Sequence, residues 1–118
     1  MSSASRSEGW EVFDIAELMK HVDSGDSASY FEFIRRSSMS CAVYRLPVGC
    51  KDMQSPHLED EVYVVLEGSA RLRIGEDTQL VGRGSILYVR ANTSHSFFDI
   101  EEDLTVLVFF GAVPGSST

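Results

Sequence analysis

Pro56-His57-Leu58-Glu59-Asp60-Glu61-Val62-Tyr63-Val64-Val65-Leu66-Glu67-Gly68 is the stretch on which the reading of this chain turns. It carries one of only three histidines in 118 residues and, four positions on, a carboxylate. On a helix, residues i and i+4 share a face, and such a pair could hold one ion. The residues after Glu61 argue for a strand instead. Val62, Tyr63, Val64 and Val65 are β-branched or aromatic, and Gly68 stops the run. A straight strand would hold His57 and Glu61 roughly 13 Å apart, too far for ligands of one ion. The chain is therefore expected to bend at Glu59-Asp60, so that His57 ends one segment, Glu61 opens the next, and the two side chains converge.

The other histidine of the second half, His95, follows the strand-like Ser85-Ile86-Leu87-Tyr88-Val89 and the polar turn Arg90-Ala91-Asn92-Thr93-Ser94, and leads into Phe97-Phe98. Two histidines and a glutamate at strand starts would form a 2-His-1-carboxylate site.

With these residues in place, the sequence resembles the cupin superfamily. That family's first motif is a glycine, five residues, His-x-His, three or four residues, a glutamate, six residues and a glycine; here Gly49, Ser55, His57, Glu61 and Gly68 stand at those spacings. Serine takes the place of the first histidine. The second motif is a glycine, five residues, Pro-x-Gly, two residues, a histidine, three residues and an asparagine; here Gly84, Arg90, Asn92, His95 and Asp99 hold those positions. The resemblance covers about residues 28 to 111. It implies an all-β, double-stranded β-helix or jelly-roll barrel, to which the segment Asp14 to Val22 adds a short N-terminal helix. It also implies one divalent transition metal (Fe, Mn, Zn, Ni or Co) on His57, Glu61 and His95. Ser55 would leave a coordination position to water or substrate, with Gln54 beside it as a substitute ligand or outer partner.

Composition narrows the function classes. At 13.1 kDa the chain suits one domain. A net charge of −8 argues against nucleic acid, which calls for a basic face, and against anionic membranes. No apolar run approaches the length of a transmembrane helix, and the serine-rich start has no signal-peptide core. Cys41 and Cys50 form no metal or redox motif and are read as reduced thiols of a cytoplasmic protein.

Along the chain, residues 1–9 are expected to be a flexible N-terminus, 10–111 a single domain and 112–118 a flexible tail. Asp14 and Glu17 have the spacing of a capping box, and Ile15, Leu18, Met19 and Val22 recur at helical spacing until Asp23-Ser24-Gly25. This helix is expected to pack outside the barrel, with His21 solvated. From Ala28 the sequence reads as short strands: 30–36, 39–46, 61–67, 70–74, 78–81, 85–89, 96–100 and 104–110. Arg71 and Arg73 alternate with Ala70, Leu72 and Ile74, which places the arginines on the solvent face. Glu101-Glu102-Asp103 reads as a turn. Leu104 to Phe110 is apolar on both faces, so one face must be covered by the helix or by a second subunit, and a homodimer is expected.

Tyr63, Tyr88 and Phe97 are candidate pocket-lining residues, Tyr63 because it shares the strand parity of Glu61. Glu61 is also a candidate catalytic base. The resemblance implies an enzyme on a small organic molecule, either a dioxygenase-like oxidoreductase or an isomerase or cyclase. The alternative is a non-catalytic module that binds or senses a small molecule, with or without metal, because no separate acid, base or nucleophile stands out.

Overall fold

The computed structural model describes residues 3–7, 9–52 and 57–112. Helix is confined, among these residues, to α1, Ile15–Met19. Asp14 caps it by accepting the Glu17 backbone N–H at 3.2 Å, as its sequence spacing predicts. The strands are β1 (Ser3–Ser7), β2 (Trp10–Phe13), β3 (Ser29–Arg35), β4 (Met39–Leu46), β5 (Glu61–Ile74), β6 (Asp77–Gly82), β7 (Ile86–Val89) and β8 (His95–Gly111). Where sequence suggested a flexible start, the backbone of β1 pairs antiparallel with β2 in a small separate sheet. Residues 113–118 lie outside the described residues.

The main sheet runs β3-β4-β8-β5-β6, with β7 paired to β5. All its pairings are antiparallel, and the sheet folds over on itself without closing into a hydrogen-bonded ring. The fold is the all-β jelly roll expected from the motifs.

Two long strands make the fold-over. β5 joins what sequence suggested were two strands, and β8 does the same. The β5–β8 ladder runs from Glu61 opposite Phe110 to Ile74 opposite His95, with register shifts between Val65 and Arg71. Gly68 does not end the strand; it bends it. Its φ is +93°, and a Cβ there would collide with the Asp103 carbonyl of β8. Asp99 supplies a second kink at φ +47°. The acidic run is therefore part of a bent strand, because a polar turn and a kink inside a strand draw on the same residues.

Bending brings two layers face to face. The main core lies between them and includes Leu46, Tyr63, Val65, Leu72, Phe97 and Val106. Each such side chain contributes about 1.5–3 kcal/mol when fully buried. A second cluster lies on the outer face, where Leu18 and Val22 pack on Val43, flanked by Phe31 and Leu107. The helix thus covers one part of the outer sheet face, as expected. His21 is exposed and stacks on Phe31, ring centroids 3.8 Å apart. Both cysteines are free; burial pushes the Cys41 thiol up to about 11, which keeps it protonated and unreactive.

Candidate functional site

Glu61 is the first residue of β5 and His95 the first of β8. The bend at Gly68 carries these strand starts together, although His95 lies opposite Ile74 in the ladder. Backbone contacts fix the loops that lead in. The Asn92 N–H donates to the His57 carbonyl at 2.7 Å, and the Gly111 N–H to the Asp60 carbonyl at 2.9 Å. The Asp60 carboxylate accepts the Ala91 N–H at 2.8 Å. Asn92 sits at φ +63°, a left-handed conformation that asparagine tolerates, at the position where the second motif has glycine.

His57, Glu61 and His95 each present a ligand atom, and these atoms all lie within 4.8 Å of one another. His95 Nε2 is 2.7 Å from Glu61 Oε1, and both side chains are 1% exposed. The His57 ring lies 5.9 Å from that of His95 and edge-on to Phe110 at 4.8 Å. His95 Nδ1 is 2.8 Å from the Thr93 carbonyl. A carbonyl only accepts, so Nδ1 carries a proton, and in the neutral ring Nε2 turns its lone pair toward Glu61. Two electron-rich atoms do not meet at that distance without a proton or a cation between them. Burial by itself lowers the His95 pKa, but the Glu61 carboxylate and the Thr93 carbonyl outweigh it and raise the value above the usual imidazole range. Glu61 Oε2 is buried with no hydrogen-bond partner among the described residues. An orphaned carboxylate oxygen is costly, and a cation would satisfy it. The donor set fits a divalent transition ion: two imidazoles and one carboxylate.

Of the residues expected to line a pocket, Tyr63 is fully buried, with its hydroxyl 3.0 Å from His95 Nε2. Phe97 packs against the Tyr63 ring at 5.0 Å and lies in the core. Tyr88 does not join them. It is 62% exposed, opposite Val62, because β7 turns Val89 inward and Tyr88 outward. Ser55 and Gln54 lie outside the described residues. Arg71 and Arg73 are exposed as expected, and Arg73 lies over the Phe98 ring at 4.6 Å.

A cavity of about 470 Å³ opens beside His57 and Phe110, with Tyr30, Tyr44, Glu32, Arg35 and Lys51 among its walls. Sequence reasoning missed these wall residues. The alternation of Tyr30 with Glu32, paired with Tyr44 and Ala42 across β3 and β4, was the available signal. It also missed Asp52, which accepts from the Tyr44 hydroxyl at 2.8 Å and from the Phe97 N–H at 2.9 Å. Burial first, and then Asp52, hold the Tyr44 phenol far above its usual pKa, so it remains a neutral donor. Arg35 is held by Glu32 through two bonds of 2.7 and 2.9 Å.

Residues 42–110 match a family model described as the cupin domain. An uncharacterized protein of Streptomyces coelicolor is 43% identical over 100 residues, 85% of this chain and 94% of that protein. An rmlc-like cupin family protein from Methanocaldococcus jannaschii, with a double-stranded beta-helix fold, superposes with a TM-score of 0.68 at 15% identity, covering 76% of this chain and 84% of that one. Salicylate 1,2-dioxygenase from Pseudoaminobacter salicylatoxidans superposes with a TM-score of 0.66 at 15% identity, over 71% of this chain and 25% of the enzyme. At such identities the structural likeness speaks for the fold alone. Among the described residues no helix is long and apolar enough to cross a membrane.

Proposed function

The chain belongs to the cupin family, and on that footing we propose that it binds one divalent transition metal through His57, Glu61 and His95 and acts on a small organic molecule. The observation that carries this reading is the buried Glu61 carboxylate, whose Oε1 lies 2.7 Å from His95 Nε2 and whose Oε2 has no hydrogen-bond partner among the described residues, so that a cation would satisfy the group. When bound, such an ion supplies a Lewis acid with open positions, the chemistry of dioxygenase-like oxidation or of isomerisation and cyclisation.

The chain's own residues do the rest. Thr93 holds the His95 ring in one tautomer and orientation. His57, the member of the set that lines the cavity, marks where a ligand would arrive. Tyr30, Tyr44 and Phe110 offer apolar walls. Lys51, which forms no ion pair with the described residues, offers a charge for a carboxylate or similar group. In this proposal Glu61 is also the general base, its carboxylate taking a proton from a bound substrate when it does not engage the ion.

A second reading rests on the same pair. His95 and Glu61 at 2.7 Å already form an ion pair when the imidazole is protonated. A proton could then stand where the metal stands in the first reading, in a non-catalytic module that binds a small molecule. Elemental analysis, oxygen uptake and metabolite loss separate the two.

The homodimer belongs to the same proposal. Ile86 and Tyr88 on β7 are 71% and 62% exposed, beside half-buried Val62 and Val64 on the outer face that α1 leaves uncovered. A second copy of this acidic chain would meet an uncharged stripe there. The free thiols favour a reducing, cytoplasmic setting.

A further inference from the structure

Tyr63 stands closer to the metal-ligating atoms than a pocket wall needs to. It is fully buried, its ring is fixed edge-on against Phe97 at 5.0 Å, and its hydroxyl oxygen is 3.0 Å from His95 Nε2. Glu61 Oε1 approaches that same nitrogen to 2.7 Å. Two donors at right angles about an ion, with bonds of about 2.1 Å, are separated by roughly 3.0 Å. Both spacings are those of neighbouring corners of one coordination sphere. An ion on Nε2 would also use the lone pair that the Tyr63 hydroxyl now faces, with the phenolic oxygen within reach of the same ion.

We propose that Tyr63 is a fourth protein ligand, giving a set of two imidazoles, one carboxylate and one phenolic oxygen. The inference rests on the metal reading above and extends it. Ligation replaces the phenolic proton by the ion. With ferric iron the set leaves a net charge of about +1, and with a divalent ion about zero, so the site suits trivalent iron as well as the divalent metals. It also accounts for the fourth donor in a chain that carries Ser55 where the family motif has a further histidine.

The test loads metal-free protein with ferric iron, delivered as its nitrilotriacetate chelate, and records the visible spectrum. Wild type should develop a phenolate-to-iron charge-transfer band. Tyr63→Phe, which keeps the ring packed on Phe97, should lose the band and bind iron at least about tenfold more weakly. Tyr44→Phe should keep the band, because Tyr44 lies on the cavity wall. Far-UV circular dichroism and melting confirm that each variant folds. Iron held in a His95-dependent way without the band, or a band that survives in Tyr63→Phe, overturns the role of Tyr63 and leaves the metal site standing. Wild type that takes up neither ferric nor divalent ions overturns both.

Discussion

His95 Nε2 lies 2.7 Å from Glu61 Oε1, although His95 is paired with Ile74 at the far end of the strand that Glu61 begins. The contact exists because β5 and β8 bend together, and the pair reports on the fold and on the site at once.

Removing either partner leaves the other buried without its counter-charge. His95→Ala should destabilise metal-free protein by roughly 3–5 kcal/mol. His57→Ala should cost far less, since that ring is only half-buried at the cavity edge. Both should weaken metal binding by more than about 100-fold, beyond the effect of losing an outer partner. Urea titration gives the first quantity and competition with a chromophoric chelator the second. Equal stability costs for the two variants would contradict the placement of His95.

The raised His95 pKa fixes the sign of a pH effect. A group protonated more readily in the folded state contributes stability that is complete below the unfolded value of about 6.5 and is lost as pH rises through the folded value. The melting temperature of metal-free protein should therefore fall as pH rises above neutrality, more steeply in wild type than in His95→Gln. Metal reverses the trend, because the ion competes with the proton and its stabilising effect grows with pH. Parallel curves for wild type and variant would remove His95 as the cause.

Gly68→Ala tests the bend. The φ of +93° is strained for alanine, and the new Cβ would strike the Asp103 carbonyl. A loss of more than about 2 kcal/mol is expected. Metal affinity should fall with it if the variant remains folded, because the bend brings Glu61 to His95. Wild-type stability would mean that the two strands do not meet there.

Much of this was legible in sequence. The helix cap at Asp14 and the alternation around Arg71 and Arg73 follow from local rules. The convergence of His57, Glu61 and His95 followed from motif spacing and from the impossibility of a straight strand between the first two. Asn92, at the motif's glycine position, adopts a left-handed conformation that the sequence reading did not address. The errors have physical causes. Gly68 and the acidic run looked like strand ends because kinks and turns use the same residues. Tyr88 was placed inside because a four-residue strand offers little to fix its parity. The anchoring role of Asp52 depends on partners distant in sequence, which no local pattern reveals.

The exposed stripe on β7 and β5 makes a prediction about assembly. Ile86→Lys combined with Tyr88→Lys should shift the protein toward monomer in sedimentation velocity, with little change in stability, since both side chains are largely exposed. A wild-type monomer at all accessible concentrations would refute the homodimer.

The central claim is that a metal belongs between Glu61 and His95. Its most direct test is elemental analysis of protein purified without affinity tag or chelator, followed by titration of the stripped protein with Fe(II), Mn(II), Zn(II), Ni(II) and Co(II). About one equivalent of one of these ions per chain is expected for wild type, with none retained by His95→Ala. Wild type that binds no transition ion under any of these conditions would contradict the account, and would leave the Glu61–His95 pair as a proton-bridged element of a metal-free binding protein.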